Sequence, residues 1–390
     1  MKLLVCRTGS PLYCDPVKAT SPKGEADTLP FLEWCAQNEK VEAMYFGRTV
    51  SPELCPVPCI EPDLSEVGEF CSLAEMKERL EPCWDKIREF APDVIVNYQG
   101  APPTWSNPDN PRFSSVQAMA VRYCLPALYT MHMLEIPRVV VMTDPKCYPR
   151  DGEMSTCWPL TRPVAVLSQE DTIFKRTIIG KDWNVHAAYA GCEYWLTWNW
   201  EPLTPFLERD PMLLMGHSHF KASRIPGGRE DIYARWFDNV KCDIIGTGWE
   251  GWEQWLGTVP TLNDVRELLR HYHGGPFLPQ KPGFNSTKPR IYAMSGACPM
   301  PYGTGLADLT YDRDARILPL DHPCRIREGE TLGEAWNRLS LRELNDGLTL
   351  TLENTRPDFT KLLSCVNDIK SGRDTFTEEW ARTYGGYLPC

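Results

Sequence analysis

Short apolar runs without polar alternation recur along this chain, with helical segments between them. "KLLVC" (Lys2–Cys6), Val41–Phe46, "PDVIVNY" ending at Tyr98 and "RVVVMT" (Arg138–Thr143) are four such runs in the first half. Leu29–Gln37, "LAEMKERLEPCWDKIREF" (Leu73–Phe90) and "SSVQAMAVRYCLPALYTMHML" have helical spacing. The last should bend at Pro126, because proline lacks the amide proton and clashes with the preceding turn. A strand buried on both faces has no wet side to alternate with, and crossover helices supply its covering layers. The pattern predicts parallel α/β sheets with helices on both faces.

The pattern starts afresh near "PMLLMGH" (Pro211–His217). A helix follows Arg229, then come the strand "CDIIG" (Cys242–Gly246), the helix "TLNDVRELLRHY", the strand "GACPM" (Gly296–Met300) and the helix "TLGEAWNRLSLRELNDG". Thr261 reads as an N-cap, with Asp264 three residues on as a variant capping box. On a helix, His271 and His273 would face different ways and could not share an ion. "TFTEEWARTYG" reads as a closing helix. Two α/β domains are therefore expected, 1–190 closed by 375–390, and 191–374, facing each other across a deep cleft. A chain of 390 residues has room for both at roughly 150 residues per domain.

No apolar run reaches the roughly 20 residues of a membrane span. "MKLLVC" is too short a run for a signal peptide. A cytoplasmic protein without a membrane partner, and a monomer, is the expectation. In that compartment the 16 cysteines are buried hydrophobes or free thiols rather than disulfides. Cys55, Cys59, Cys71 and Cys83 could be drawn as a zinc set, but they lack the tight pairs of zinc modules. The net charge of −11 argues against a global positive field for nucleic acid, while a local basic groove stays open.

Three stretches carry chemistry. In "RVVVMTDPKCYPRD" a buried strand delivers Asp144 to the carboxyl end of the sheet, where open α/β folds hold ligands. Asp before proline is also ordinary turn chemistry. In "MGHSHFKASRIPGGRED" a strand ends, basic residues and glycines follow, and a helix starts. Lys221, Arg224 and Arg229 at such a helix start suit a diphosphate, though neither the P-loop nor the dinucleotide spacing is present. A solvated basic loop is the plainer reading. "FNSTKPRIYAMSGACPMPYGTG", where Arg290 opens a short helix, is the third. Asp312 and Asp314 in "DRD" read as a surface turn; no motif indicates a divalent metal.

In order, these residues resemble the T-even phage DNA β-glucosyltransferases, GT-B enzymes that move glucose from UDP-glucose to hydroxymethylcytosine in DNA. The shared series runs from "VVVMTD" through "GHSHFKASRIPGGRE", "CDIIG", "GTVP" (Gly257–Pro260) and "RIY" to "EEWARTYG". The resemblance implies two Rossmann-like domains and inverting transfer. It assigns Asp144 as general base and Glu25 as a glutamate near the sugar. Lys221 or Arg224, with Arg229, would hold the UDP phosphates, and Val259 would lie beside the uracil. Gly216, His219, Gly246 and Arg290 complete the implied nucleotide-binding set. The donor would be UDP-glucose or another UDP-sugar. The family's ribose-binding glutamate is replaced here by Ala293.

The implied acceptor is a 5-hydroxymethylpyrimidine in double-stranded DNA, in the cytoplasm of a host cell if the gene is a bacteriophage's. Such a base must be flipped from the stack, at a cost of a few kcal/mol. Trp105 and Arg112, in "GAPPTWSNPDNPRF", are the candidates for filling the gap and gripping the backbone; a structural proline-rich loop is the plainer reading. A protein, polysaccharide or small-molecule acceptor is the alternative, and the negative charge favours it, since DNA affinity comes mostly from phosphate neutralisation.

Overall fold

The structure is a computed structural model. It describes residues 1–8, 11–15, 28–65, 73–99, 126–127, 130, 133–142, 165–168, 186–188, 202–216, 232–233, 235–237, 240–278, 288–303, 318–319, 321–355 and 359–371. The chain divides into two compact units: Met1–Trp198 with Asp358–Cys390, and Asn199–Pro357.

The first unit is built on β1 (Lys2–Thr8), β3 (Glu42–Phe46), β5 (Cys59–Ile60), β6 (Val94–Gln99), β7 (Arg138–Met142), β8 (Ala165–Ser168) and β9 (His186–Ala188), in the order β5-β3-β1-β6-β7-β8-β9. Every pairing between them is parallel. A small parallel pair, β2 (Leu12–Tyr13) with β4 (Thr49–Val50), lies apart from the sheet. The helices α1 (Leu29–Gln37) and α2 (Leu73–Phe90) have the predicted bounds. In α2, Met76, Leu80, Cys83, Trp84 and Ile87 recur at helical spacing and pack on Leu4, Cys6, Phe46 and Ile95 of the sheet. Each large side chain fully buried this way contributes about 1.5–3 kcal/mol. The indole N–H of Trp84 donates to Thr130 Oγ1 at 2.8 Å, so the ring enters the core with its polar atom satisfied.

The second unit carries β10 (Asp210–Met215), β11 (Cys242–Ile245), β12 (Trp255–Gly257), β13 (Tyr272–Phe277) and β14 (Cys298–Pro301), ordered β12-β11-β10-β13-β14 and again parallel. Its helices are α3 (Leu262–Leu269), α4 (Lys288–Met294), α5 (Leu332–Asn337) and α6 (Leu341–Asn354). In both sheets the chain starts in the interior, winds to one edge, then returns and winds to the other. That is the doubly wound order, with a reversal point between β1 and β6 and another between β10 and β13.

Three expectations need correction. "TLGEAWNRLSLRELNDG" is two helices, because Ser340 accepts from the Glu343 N–H and the Glu343 carboxylate accepts from the Ser340 N–H, a full capping box that starts α6. Gly347 does not stop that helix. It lets α6 lie against Cys298, Cys324 and His322, where a methyl group would stand 2.9–3.0 Å from their atoms. His271 and His273 are on and beside strand β13, not on a helix; His271 stacks on Phe206 and His273 lies against Trp336. Thr261 caps α3 as predicted, but the Asp264 carboxylate takes the Thr261 hydroxyl rather than closing the box on its backbone. After α6 the chain returns to the first unit as α7 (Thr360–Lys370), a helix not foreseen from sequence. Phe359 packs at a tilt against Phe31 and Trp34, and Lys370 pairs with Asp93 at 2.8 Å. No described helix is long and apolar enough to cross a membrane.

Candidate functional site

The carboxyl edge of the second sheet gathers glycines. Gly216 follows β10, Gly246 follows β11 and Gly257 ends β12, with φ of +148°, +128° and +105°. These left-half values suit glycine, and they turn the chain sharply as each strand leaves the sheet. The Gly216 N–H donates to the Ile245 carbonyl and the Gly246 N–H to the Gly257 carbonyl, both at 3.0 Å. Two indoles brace the same edge: Trp249 Nε1 donates to the Gly216 carbonyl at 2.9 Å and Trp255 Nε1 to the Gly246 carbonyl at 2.8 Å. The Trp249 ring is buried and meets Tyr233, Phe237 and Trp252 edge-on. The Lys288 ammonium lies directly over the Cα of Gly216, where any side chain on that glycine would collide with it. Lys288 fills the side-chain space at Gly216 and the Gly216 carbonyl that at Gly246, while open space surrounds the Cβ position of Gly257.

At the reversal point, β10 and β13 pair through Asp210↔Tyr272 and Met212↔Gly274. Further along, the phenol of Tyr292, from α4, spans the two strands. Its oxygen accepts from the Met215 N–H at 2.8 Å and donates to the Pro276 carbonyl at 3.3 Å. Gly275 makes room for the ring, since a Cβ there would run into it. The phenol is fully enclosed, and burial holds its pKa well above the usual tyrosine range, so it stays neutral and structural. Tyr292→Phe should destabilise the protein by about 1–3 kcal/mol, because the buried Met215 N–H loses its partner. Equilibrium urea unfolding measures this.

Of the sequence-predicted residues, Gly216 and Gly246 lie together at this edge, and half-buried Val259 follows β12 by two residues. Arg290 is buried, and its guanidinium donates to the Thr355 carbonyl at 2.7 Å, tying α4 to the end of α6. Ala293 is completely enclosed. Asp144, Glu25, Trp105, Arg112, His219, Lys221, Arg224 and Arg229 lie outside the described residues, as do Asp312 and Asp314. The strand that leads to Asp144 is in place: β7 runs level with β6, Gln99 opposite Met142.

Sequence reasoning missed Lys288, Tyr292 and the two bracing tryptophans. "GWEGWEQW" offers a signal in retrospect, since indoles that enter a core seek an acceptor. It also missed the polar pair at the first reversal point. Arg7 of β1 is buried and donates to Thr28 Oγ1 at 3.3 Å. Asn97 of β6, fully buried, has no hydrogen-bond partner for its amide among the described residues. Among the described residues no three metal-ligating side chains are placed to hold an ion.

No protein-family model and no curated protein sequence matches the chain. Solved structures do. The crystal structure of the DNA-modifying enzyme β-glucosyltransferase, in the presence and absence of its substrate uridine diphosphoglucose, matches with a TM-score of 0.50 and 13% identity, over 98% of each chain. A glycosyltransferase from Rickettsia africae matches with a TM-score of 0.50 and 7% identity, over 95% of this chain and 98% of that one. Likeness at such identities is likeness of fold, and the chain has the GT-B fold, two Rossmann-like α/β units.

Proposed function

We propose that the protein is an inverting glycosyltransferase that moves a sugar, glucose in the first instance, from a UDP-sugar to the hydroxyl of a 5-hydroxymethylpyrimidine in DNA. The observation that carries the donor half is the Lys288 ammonium held against Gly216 past the carboxyl end of β10, a positive charge at the strand ends where doubly wound folds hold their ligands. Lys221, Arg224 and Arg229, which come after β10 in the sequence, are the candidates for further positive charge. Val259, after the same edge, is the candidate for the uracil. Glu25 is the candidate beside the sugar.

The reaction needs a base on the acceptor side. Asp144 takes the proton from the hydroxymethyl oxygen as that oxygen attacks the anomeric carbon. The bond from that carbon to the UDP oxygen breaks on the opposite face, and the configuration inverts. Lys288 and the loop cations stabilise the charge that builds on the departing diphosphate.

The acceptor rests on the ordered sequence resemblance and on the full-length fold likeness to the DNA-modifying enzyme. The Rickettsia glycosyltransferase reaches the same TM-score, and the net charge of −11 favours an acceptor other than DNA, so the acceptor is the half to test first. The protein is incubated with UDP-glucose and duplexes carrying hydroxymethylcytosine or hydroxymethyluracil, and the digested nucleosides are weighed. One modified nucleoside should gain a hexose. Release of UDP without a heavier nucleoside would leave a glycosyltransferase with another acceptor; neither product would end the proposal.

A further inference from the structure

In the second unit a short turn, 321–325, lies between α6 and the end of β14. The His322 N–H donates to the Pro319 carbonyl at 2.9 Å, and the His322 carbonyl accepts from the Arg325 N–H at 3.0 Å. The imidazole bends back on the same turn, where its Nδ1 accepts from the Cys324 N–H at 3.2 Å. The ring is half-buried against α6, and Gly347 leaves room for it; a methyl group there would stand 3.0 Å from its Cε1. Ile326, next after the turn, is fully buried and extends the sheet beyond β14. Its N–H donates to the Pro301 carbonyl at 3.0 Å, its carbonyl accepts from the Gly303 N–H at 2.6 Å, and it bridges Tyr302 in parallel. Since β14 is an edge strand, Ile326 covers the carboxyl end of its outer border.

An imidazole nitrogen that accepts from a backbone N–H carries no proton. Protonation turns Nδ1 into a donor, so two donors would face each other and the buried Cys324 N–H would lose its acceptor. The surroundings resist that change. Burial first, then the positive charge of Arg325, holds the imidazole below its ordinary range, while Asp321 on the turn and Asp346 and Glu343 on α6 oppose them. The Cys298 and Cys324 thiols share the space beside Gly347, and burial keeps the proton on Cys298. A second tether on the turn keeps its charge in mild acid. Arg338 donates to the Pro323 and Arg325 carbonyls and pairs with Glu330. Burial works against the Glu330 carboxylate, yet hydrogen bonds from Arg338 and the Arg327 N–H hold it below its usual range. Bonds from the Ser340 N–H and hydroxyl hold Glu343 low as well. Mild acid therefore acts on this turn through His322.

We propose that His322 is an acid-released clip: when its Nδ1 takes a proton, the turn 321–325 loosens from α6 and Ile326 leaves the end of β14. The clip closes on a neutral ring. It therefore holds fully above about 6.5, the ordinary histidine value, and loosens as the pH falls below it. Release opens the backbone groups at the end of an edge strand to solvent. The device is independent of the glycosyl-transfer reading.

Hydrogen–deuterium exchange of the full-length protein, read by mass after digestion, is compared at about pH 7.5 and about pH 5.5, on either side of the histidine range. Rates are corrected for the intrinsic pH dependence of exchange. Peptides carrying Cys324 and Ile326 should exchange at least about fivefold faster at the lower pH, because a buried amide without its acceptor opens more readily. β13, in the same unit, should keep its protection. The His322→Asn variant should show no such difference, since its side-chain oxygen can accept where Nδ1 does and takes up no proton. An equal response in that variant, or a wild-type segment that changes no more than β13, would overturn the proposal. Should the variant fold poorly, the wild-type pH series decides. Faster exchange that sets in below about 6.5 and stays within the segment supports the clip; onset in step with β13 is acid unfolding and overturns it.

Discussion

Asp144→Ala is expected to lower sugar transfer by at least about 10²-fold while UDP binds as in the wild type. The expectation starts from β7. That strand lies inside the seven-stranded sheet, paired with β6 on one side and β8 on the other, and it ends at Met142. Asp144 comes two residues later in the sequence, and doubly wound folds hold their ligands beyond the carboxyl ends of such strands. Under the proposed reaction its carboxylate meets the acceptor hydroxyl and makes no contact with the nucleotide. Its loss should therefore appear in kcat and not in the dissociation constant of UDP. Asp144→Asn sharpens the test because it keeps the shape and removes only the base. Calorimetry with UDP and turnover with hydroxymethylated DNA measure the two quantities, and an asparagine variant with wild-type turnover would sink the assignment.

Gly246→Ala is expected to be the most destabilising single methyl addition at the donor edge, by at least about 3 kcal/mol. Two costs add. The backbone at Gly246 has φ of +128°, a conformation that an alanine adopts only under strain. The new methyl would also run into the Gly216 carbonyl oxygen, which is backbone and is itself fixed by the Trp249 indole. Neither atom can rotate away, so β10 and β11 must separate at their ends. Urea unfolding should show the loss. Gly257→Ala is the control, since its φ is also positive but open space surrounds the position. Equal losses in the two variants would mean that the carbonyl contact contributes nothing.

The strands and helices legible in the sequence were those whose burial pattern is strong. α1 and α2 have the expected bounds, and β1, β6, β7, β10 and β11 fall within two residues of theirs. Such runs are buried on both faces, so a local pattern reports the tertiary environment directly. The short strands β2, β4 and β5 carry two residues each, too few for any period to register. α7 escaped because its apolar residues come without a recognised cap. The break before α6 was legible as the Ser340–Glu343 box and was read through, because Leu339 and Leu341 continue an apolar stretch across it. At the site, glycines at strand ends were visible as sequence. Lys288 over Gly216 and the Tyr292 phenol between β10 and β13 were not, since both depend on α4 being carried back to β10, some seventy residues earlier. Arg290 shows the converse: a cation in a suggestive motif is turned inward to a helix end.

The return of the chain as α7 sets an order of events during synthesis. The second unit is one unbroken stretch, Asn199–Pro357, whereas the first is split around it. A ribosome emits every residue of the second unit before it emits Phe359 and Lys370, which pack on Phe31 and Trp34 and pair with Asp93. Domains fold as units as they emerge. Helix α1 must therefore wait, its Phe31 and Trp34 without Phe359, while the whole second unit is made. The first unit is completed only after the second has been made.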